Sequence, residues 1–330
     1  MFAHLLLDIL APILLMVGLG ALVRRKFKIN VDTLSKVNIY LFTPAFIFDR
    51  VTRSQLQSAD MAGIATATAF LVVVLGLLVW GIGRARNIER RRLAALAMAA
   101  MFYNSGNFGL PLAELAYPHV EGGGMKDGAA VQTFVVLTQN VLTFTLGLAI
   151  TAGAHAHTPL HIAKKMLSLP VLYTLTAALV GRHFFGPDSG REMPHLISNV
   201  SKYLGDGLVP VALITLGAQL ASSARWPRWK DISFAIVMRL LMGPAVMTGL
   251  LLLFHWRLPG TWLDLWPWPA ESLILTAGVP SAINTLLLVL ELDGDAELTA
   301  DCVFWTTITS AVTLFGWLTL LRLCFPATAL

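Results

Sequence analysis

Asparagine, serine and glycine stand together in an otherwise apolar run, as Asn104-Ser-Gly-Asn-Phe-Gly-Leu-Pro111. These residue types bind; they do not cut or transfer. An asparagine amide donates hydrogen bonds without the penalty of a buried charge. Helices restarting at Leu110-Pro111, and in a second polar break near Val279-Pro280, would point N–H groups and a partial positive charge into the gap. Carboxylates bind readily at such termini. The expected chemistry is therefore recognition of a small organic anion. The alternative for Asn104 is a cap on broken backbone that touches no ligand. Asn107 and Asn284 carry the same pair of readings. No nucleophile–base arrangement, Walker A sequence or dinucleotide fingerprint accompanies them, and Gly81-Ile-Gly83 lacks both a strand and a third glycine. No cofactor, metal or enzymatic activity is expected. His155, His157 and His161 read as a solvated loop rather than a metal site.

The elements that must hold these residues are membrane helices. The chain is 56% hydrophobic and 13% charged, with a mean hydropathy of +0.70, which is the composition of a polytopic membrane protein. Its net charge of +5 needs no nucleic-acid partner, because Lys and Arg cluster between apolar spans. Ten spans are expected, at roughly 5–23, 35–51, 61–83, 93–118, 128–152, 162–184, 195–221, 232–255, 270–291 and 298–323. The second is the weakest, containing Asn38, Thr43, Pro44 and Asp49. The first has no basic residue before it and three directly after it, so it reads as a retained helix rather than a cleaved signal. Fifteen basic residues fall on one side of this arrangement and seven on the other. The positive-inside rule then puts both termini outside. The acidic loop LDGDAELTAD is the exception, being expected inside.

Broken backbone within hydrocarbon is tolerated only where protein or a wet cavity surrounds it. Gly278-Val-Pro-Ser-Ala-Ile-Asn284 repeats the first break in the second half of the chain. Pro12, Pro44 and Pro111 match Pro170, Pro210 and Pro280 at offsets of 158, 166 and 169. The expected units are therefore a first five-helix repeat (1–152), a short linker (153–161) and a second repeat (162–330). Five is an odd number, so the second repeat must be inverted in the membrane. Paired interrupted helices in two such halves point to the substrate site of a secondary transporter. Few ionisable residues lie near membrane depth. Glu114 and Asp206 are candidates for proton or ion coupling. Lys202 and Asp206, four apart, can instead pair on one helix face. Gln132, Gln139 and Asn140 read as interhelical hydrogen-bonding groups. Most of the tryptophans sit near span ends, as interfacial anchors do. Cys302 and Cys324 share one expected helix and lie about 33 Å apart along it, too far to bond.

Several stretches in order carry a family resemblance: GLGALVRR, SKVNIYLFTPAFIF, NSGNFGLPLAELAY, LGDGLVPVALITLGAQLA and GVPSAINTLLLVLEL. Over nearly its whole length the chain resembles the auxin efflux carrier family, bacterial relatives of the plant PIN-formed carriers. The resemblance implies an all-α integral membrane fold, a 5+5 inverted repeat of ten transmembrane helices with broken, crossing helices 4 and 9. It further implies scaffold and transport domains, each drawn from both repeats, and an elevator-type carrier of carboxylates or auxin-like indole acids. By the family pattern Asn104 faces the substrate, Pro111 and Pro280 mark the crossing, and Asn284 can line the same cavity. The short segment AGAHAHTPLH replaces the long plant loop. The expected partners are the anion, the bilayer and a second copy in a homodimer, in a bacterial cytoplasmic membrane. Rival readings are a sodium- or proton-coupled, bile-acid-like symporter, a channel, and a non-transporting sensor.

Overall fold

The computed structural model describes residues 5–27, 29–118, 127–152, 170–187, 189–221, 228–291 and 295–325. The linker 153–161 with its three histidines, and Lys28, Lys126, Lys164, Lys165, Arg225 and Trp226, lie outside these residues.

The described chain is helical. A π turn, Leu5–Leu10, leads into α1 (Ala11–Phe27). Helices α2 (Val31–Val37) and α3 (Thr43–Arg53) are joined by the π turn Asn38–Phe42. Then come α4 (Ser58–Ala85), α5 (Arg90–Met101), the π turn Ser105–Gly109 and α6 (Leu110–Ala116). Next are α7 (Gly128–Leu142), the π turn Thr143–Gly147 and α8 (Leu148–Ala152). The later part holds α9 (Pro170–Phe185), α10 (His195–Asp206), α11 (Leu208–Leu220) and α12 (Trp229–Ile236). The π turn Val237–Leu241, α13 (Met242–Arg257), α14 (Ala270–Thr276), α15 (Asn284–Glu291) and α16 (Ala296–Cys324) complete it. Among the described residues six helices are long and apolar enough to cross a membrane: Leu7–Phe27, Ser58–Ala85, Gly128–Thr151, His195–Leu220, Trp229–Arg257 and Ala296–Cys324.

Two packing groups share the described residues. In the first, α1 lies against α11, and α3 lies against α9 and α10. The α1–α11 seam is made by glycine. A Cβ at Gly217 would sit 1.9 Å from the Val17 carbonyl oxygen, and one at Gly20 would sit 2.1 Å from that of Ile214. The two backbones therefore touch, as small residues allow in membrane helices. In the second group α4 packs on α5, α7 and α13, α16 packs on α5 and α12, and α14 packs on α13, α7 and α16. The groups meet where α11 touches the turn Ser105–Gly109 and α6, and where α3 touches α7.

Ion pairs collect at two ends. At one, Arg92 holds both Asp231 oxygens at 2.7 Å, and Arg228 lies 3.1 Å from Asp295 and 4.0 Å from Asp301. Asp295 also caps α16 by accepting the Leu298 N–H at 3.0 Å. Partial burial pushes the Asp295 carboxyl up, but the Arg228 guanidinium and the Leu298 N–H outweigh it and hold the group below the usual carboxylate range. Asp295 and Asp301 of the acidic stretch thus lie against basic Arg228. At the far end of α16, roughly 43 Å away, Arg322 lies 3.7 Å from buried Glu271 and donates to the Ala116 carbonyl at 3.0 Å. Both cysteines are on α16, with Cys302 buried and Cys324 exposed, so the packing reading of Cys302 fits its place.

Candidate functional site

The first break forms because its residues cannot continue α5. Alanine, leucine and methionine carry α5 to Met101. Phe102 is extended, and Asn104 then starts a new helical run as its N-cap, Oδ1 accepting the Asn107 N–H at 3.2 Å. Pro111 is buried in the first turn of α6, where a missing N–H does no harm. The second break opens after Thr276. Pro280 biases Val279 away from helix, and the chain turns helical again at Asn284. The expected restart near Val279-Pro280 is therefore four residues early.

The reason for the late restart is that the two breaks pair. The Asn104 N–H donates to the Pro280 carbonyl at 2.8 Å, and the Ala282 N–H donates to the Phe102 carbonyl at 3.0 Å. A single antiparallel bridge joins Tyr103 to Ser281. The Ser281 hydroxyl donates to the Ala99 carbonyl at 2.7 Å, and its N–H donates to the Thr306 hydroxyl at 3.1 Å. The backbone from 280 to 282 is held by these bonds, so Pro280 flanks the bridge rather than starting a helix. Backbone groups that would be orphaned at a break thus satisfy one another.

Polar side chains gather around the bridge. Gln132 of α7 donates from Nε2 to the Ser105 carbonyl at 2.9 Å. Gly109 makes room for it, since a Cβ there would sit 2.4 Å from Nε2. Asn38 of the first packing group donates from Nδ2 to Asn107 Oδ1 at 2.9 Å. Within these amide side chains, buried Asn104 Nδ2, Asn38 Oδ1 and Gln132 Oε1 have no hydrogen-bond partner among the described residues. Buried polar groups are normally paired, so this cluster has spare donor and acceptor capacity.

The structure brings Asn104, Asn107 and Pro280 together, and buries Pro111 in the first turn of the helix that follows. It does not bring the other candidates into this network. Asn284 begins α15 but is exposed. Glu114 is engaged by Arg50 at 2.5 Å, in a pair that joins α6 to α3 across the group boundary. Asp206 is exposed at the end of α10, as is Lys202 one turn before it. Asn38 has a role that its sequence context did not disclose. Its partner lies 69 residues away, and the only cue was a polar residue in the weakest span.

A match to membrane transport proteins covers residues 6–165 and 182–318. The chain belongs to that membrane transport protein family. This is the auxin efflux carrier family whose motifs the sequence carries. Several relatives are similar to this chain along most of their length. A Methanothermobacter thermautotrophicus protein named "Uncharacterized transporter" is 25% identical over 297 residues, covering 87% of this chain and 88% of its own. A Rhizobium meliloti protein named "Putative malonate transporter" is 24% identical over 294 residues, covering 86% and 85%. A Methanocaldococcus jannaschii "Uncharacterized transporter" is 26% identical over 296 residues, covering 87% and 89%. The chain is an integral membrane transporter, not an enzyme.

Proposed function

We propose that this protein is a secondary carrier of small organic anions and that the paired breaks hold the substrate carboxylate. The observation that supports this reading is the bridge itself: two interrupted helices, joined through Tyr103 and Ser281, beside the unpartnered amide of Asn104. Such breaks in a membrane carrier mark its substrate site. Malonate is the first substrate to test, on the strength of the Rhizobium relative's name; indole acids are the second.

The ten spans, in two inverted repeats of five divided at 153–161, form the proposed frame. The first packing group acts as scaffold and the second as the moving body, each drawn from both repeats. The proposed motion is an elevator-type slide of the second group past the first. Both termini face outward across a bacterial cytoplasmic membrane, following the fifteen-to-seven charge split. Lipid covers exposed apolar side chains such as Leu77 and Val312, and a second copy is the proposed partner at the exposed side chains Tyr173, Leu196 and Tyr203.

Transport is driven by the membrane potential and needs no sodium. The supporting features are the neutral side chains of the bridge and the engagement of Glu114 by Arg50. One charge crossing the membrane responds with about 2.3 kcal/mol per 100 mV. Purified protein in sodium-free liposomes is expected to take up radiolabelled malonate in the direction set by an imposed potassium-diffusion potential. An absolute need for sodium, or indifference to the potential, would contradict this reading. Ligand binding without any flux would favour a sensor, and flux without counterflow a channel.

A further inference from the structure

Arg239 heads the fully buried side chains, and the substrate reading leaves it unused. It sits in the π turn between α12 and α13, in the proposed moving body. Its Nη1 donates to the Ala100 carbonyl at 2.7 Å and its Nη2 donates to the Ala277 carbonyl. Its guanidinium lies 4.6 Å from the centre of the Tyr103 ring, a contact that attracts a cation. Ala100 is in the last turn of α5, and Ala277 is the C-cap of α14. Gly243 completes the seat. A Cβ there would stand 2.4 Å from Nη2 and 2.7 Å from the Ala277 oxygen. Among the described residues no carboxylate pairs with Arg239, and the buried Glu271 is engaged by Arg322 at the far end.

Four helix ends meet at the bridge. Each carries the equivalent of about half an elementary charge, negative at a C-terminus and positive at an N-terminus. The C-terminal ends of α5 and α14 would offset the N-terminal ends of the runs starting at Ser105 and Asn284. A bare crossing would therefore prefer neither sign. Carriers that couple to a cation place it at C-terminal half-helix ends. Here that position is filled by a covalently tethered cation, and a guanidinium stays protonated.

We propose that Arg239 is the resident cation of the crossing. It occupies the seat a coupling cation would need and leaves the N-terminal ends to select an anion. The proposal rests on the crossing being the substrate site. It also enters the charges of the cycle. Arg239 gives the moving body one positive charge in the membrane, and Glu114 on α6 gives it one negative charge once the slide parts it from Arg50. The empty body is then neutral, and the body loaded with a dianion carries two negative charges.

The test uses the full chain in planar bilayers, in sodium-free medium. Without substrate, voltage steps are expected to produce little transient charge movement in the wild type and in Arg239→Lys, and a clear transient in Arg239→Gln, whose empty body keeps only the negative charge of Glu114. Sodium is expected to leave the melting temperature of the wild type unchanged and to raise that of Arg239→Gln, whose seat is vacant. A substrate-free transient in the wild type as large as that of Arg239→Gln, or sodium stabilisation of the wild type, would each overturn the proposal. The wild-type results decide it even if Arg239→Gln does not fold. Malonate is expected to produce a transient in the wild type. A transient in Arg239→Gln with no response of the wild type to malonate would keep the resident cation and reject malonate as the ligand.

Discussion

Replacing Asn104 with alanine is expected to weaken carboxylate binding about tenfold to somewhat over a hundredfold. The side chain does two jobs that can be separated. Its Oδ1 caps the helical run at Ser105 by accepting the Asn107 N–H, and its buried Nδ2 has no partner among the described residues. Losing a hydrogen bond to a charged group costs about 1.5–3 kcal/mol, and each 1.4 kcal/mol or so is a factor of ten in affinity. Losing the cap costs about 1 kcal/mol of stability. Asn104→Ser keeps an acceptor for the cap but has no amide to offer, so it is expected to restore the melting temperature and not the affinity. Ligand-induced thermal shifts on the wild type and both variants read out the two effects. Wild-type affinity in Asn104→Ala, together with a collapsed unliganded melting temperature, would make Asn104 a structural cap only.

Locking Arg50 to Glu114 is expected to reduce exchange to background while leaving binding intact. The pair spans the boundary between the two packing groups at 2.5 Å, with both side chains largely buried. A slide of one group past the other must part them. The experiment replaces Cys302 and Cys324 by alanine, introduces Arg50→Cys and Glu114→Cys, and joins the new thiols with a short bifunctional reagent. Exchange of labelled malonate is expected in the reduced variant and after cleavage of the link, and to be lost while the link holds. Continued exchange by the linked protein would rule out the slide. Loss of exchange in the reduced variant would instead give Glu114 or Arg50 a direct part in transport.

Both breaks were legible in the sequence because glycine, proline and asparagine interrupt apolar helices in a way few other residues do. Asn104 lies in the first break as the N-cap of the next helical run, and Pro111 lies in the first turn of α6. What could not be read was the pairing of the breaks, since backbone bonds between Asn104 and Pro280 or Phe102 and Ala282 leave no mark on side-chain identity. That is also why the second half-helix restarts at Asn284 instead of beside Pro280. Arg239 stands in the sequence as a basic residue inside the expected span 232–255. Its role was not legible there, because its partners are the carbonyls of two alanines, 139 and 38 residues away. The membrane class followed from composition alone. The grouping of the acidic 295–301 segment with Arg228 needed the three-dimensional pairing.

The claim on which the rest depends is that the paired breaks hold a carboxylate. Its most direct test is an electron cryo-microscopy structure of the protein saturated with malonate in sodium-free buffer. The account predicts density for the dianion beside Asn104 Nδ2, at the N-terminal end of the run that starts at Ser105, with Arg239 still bound to the Ala100 and Ala277 carbonyls. Malonate density at another site, for example in the groove between Pro44, Phe48, Thr174 and Ile197, with the bridge between Tyr103 and Ser281 bare, would contradict it.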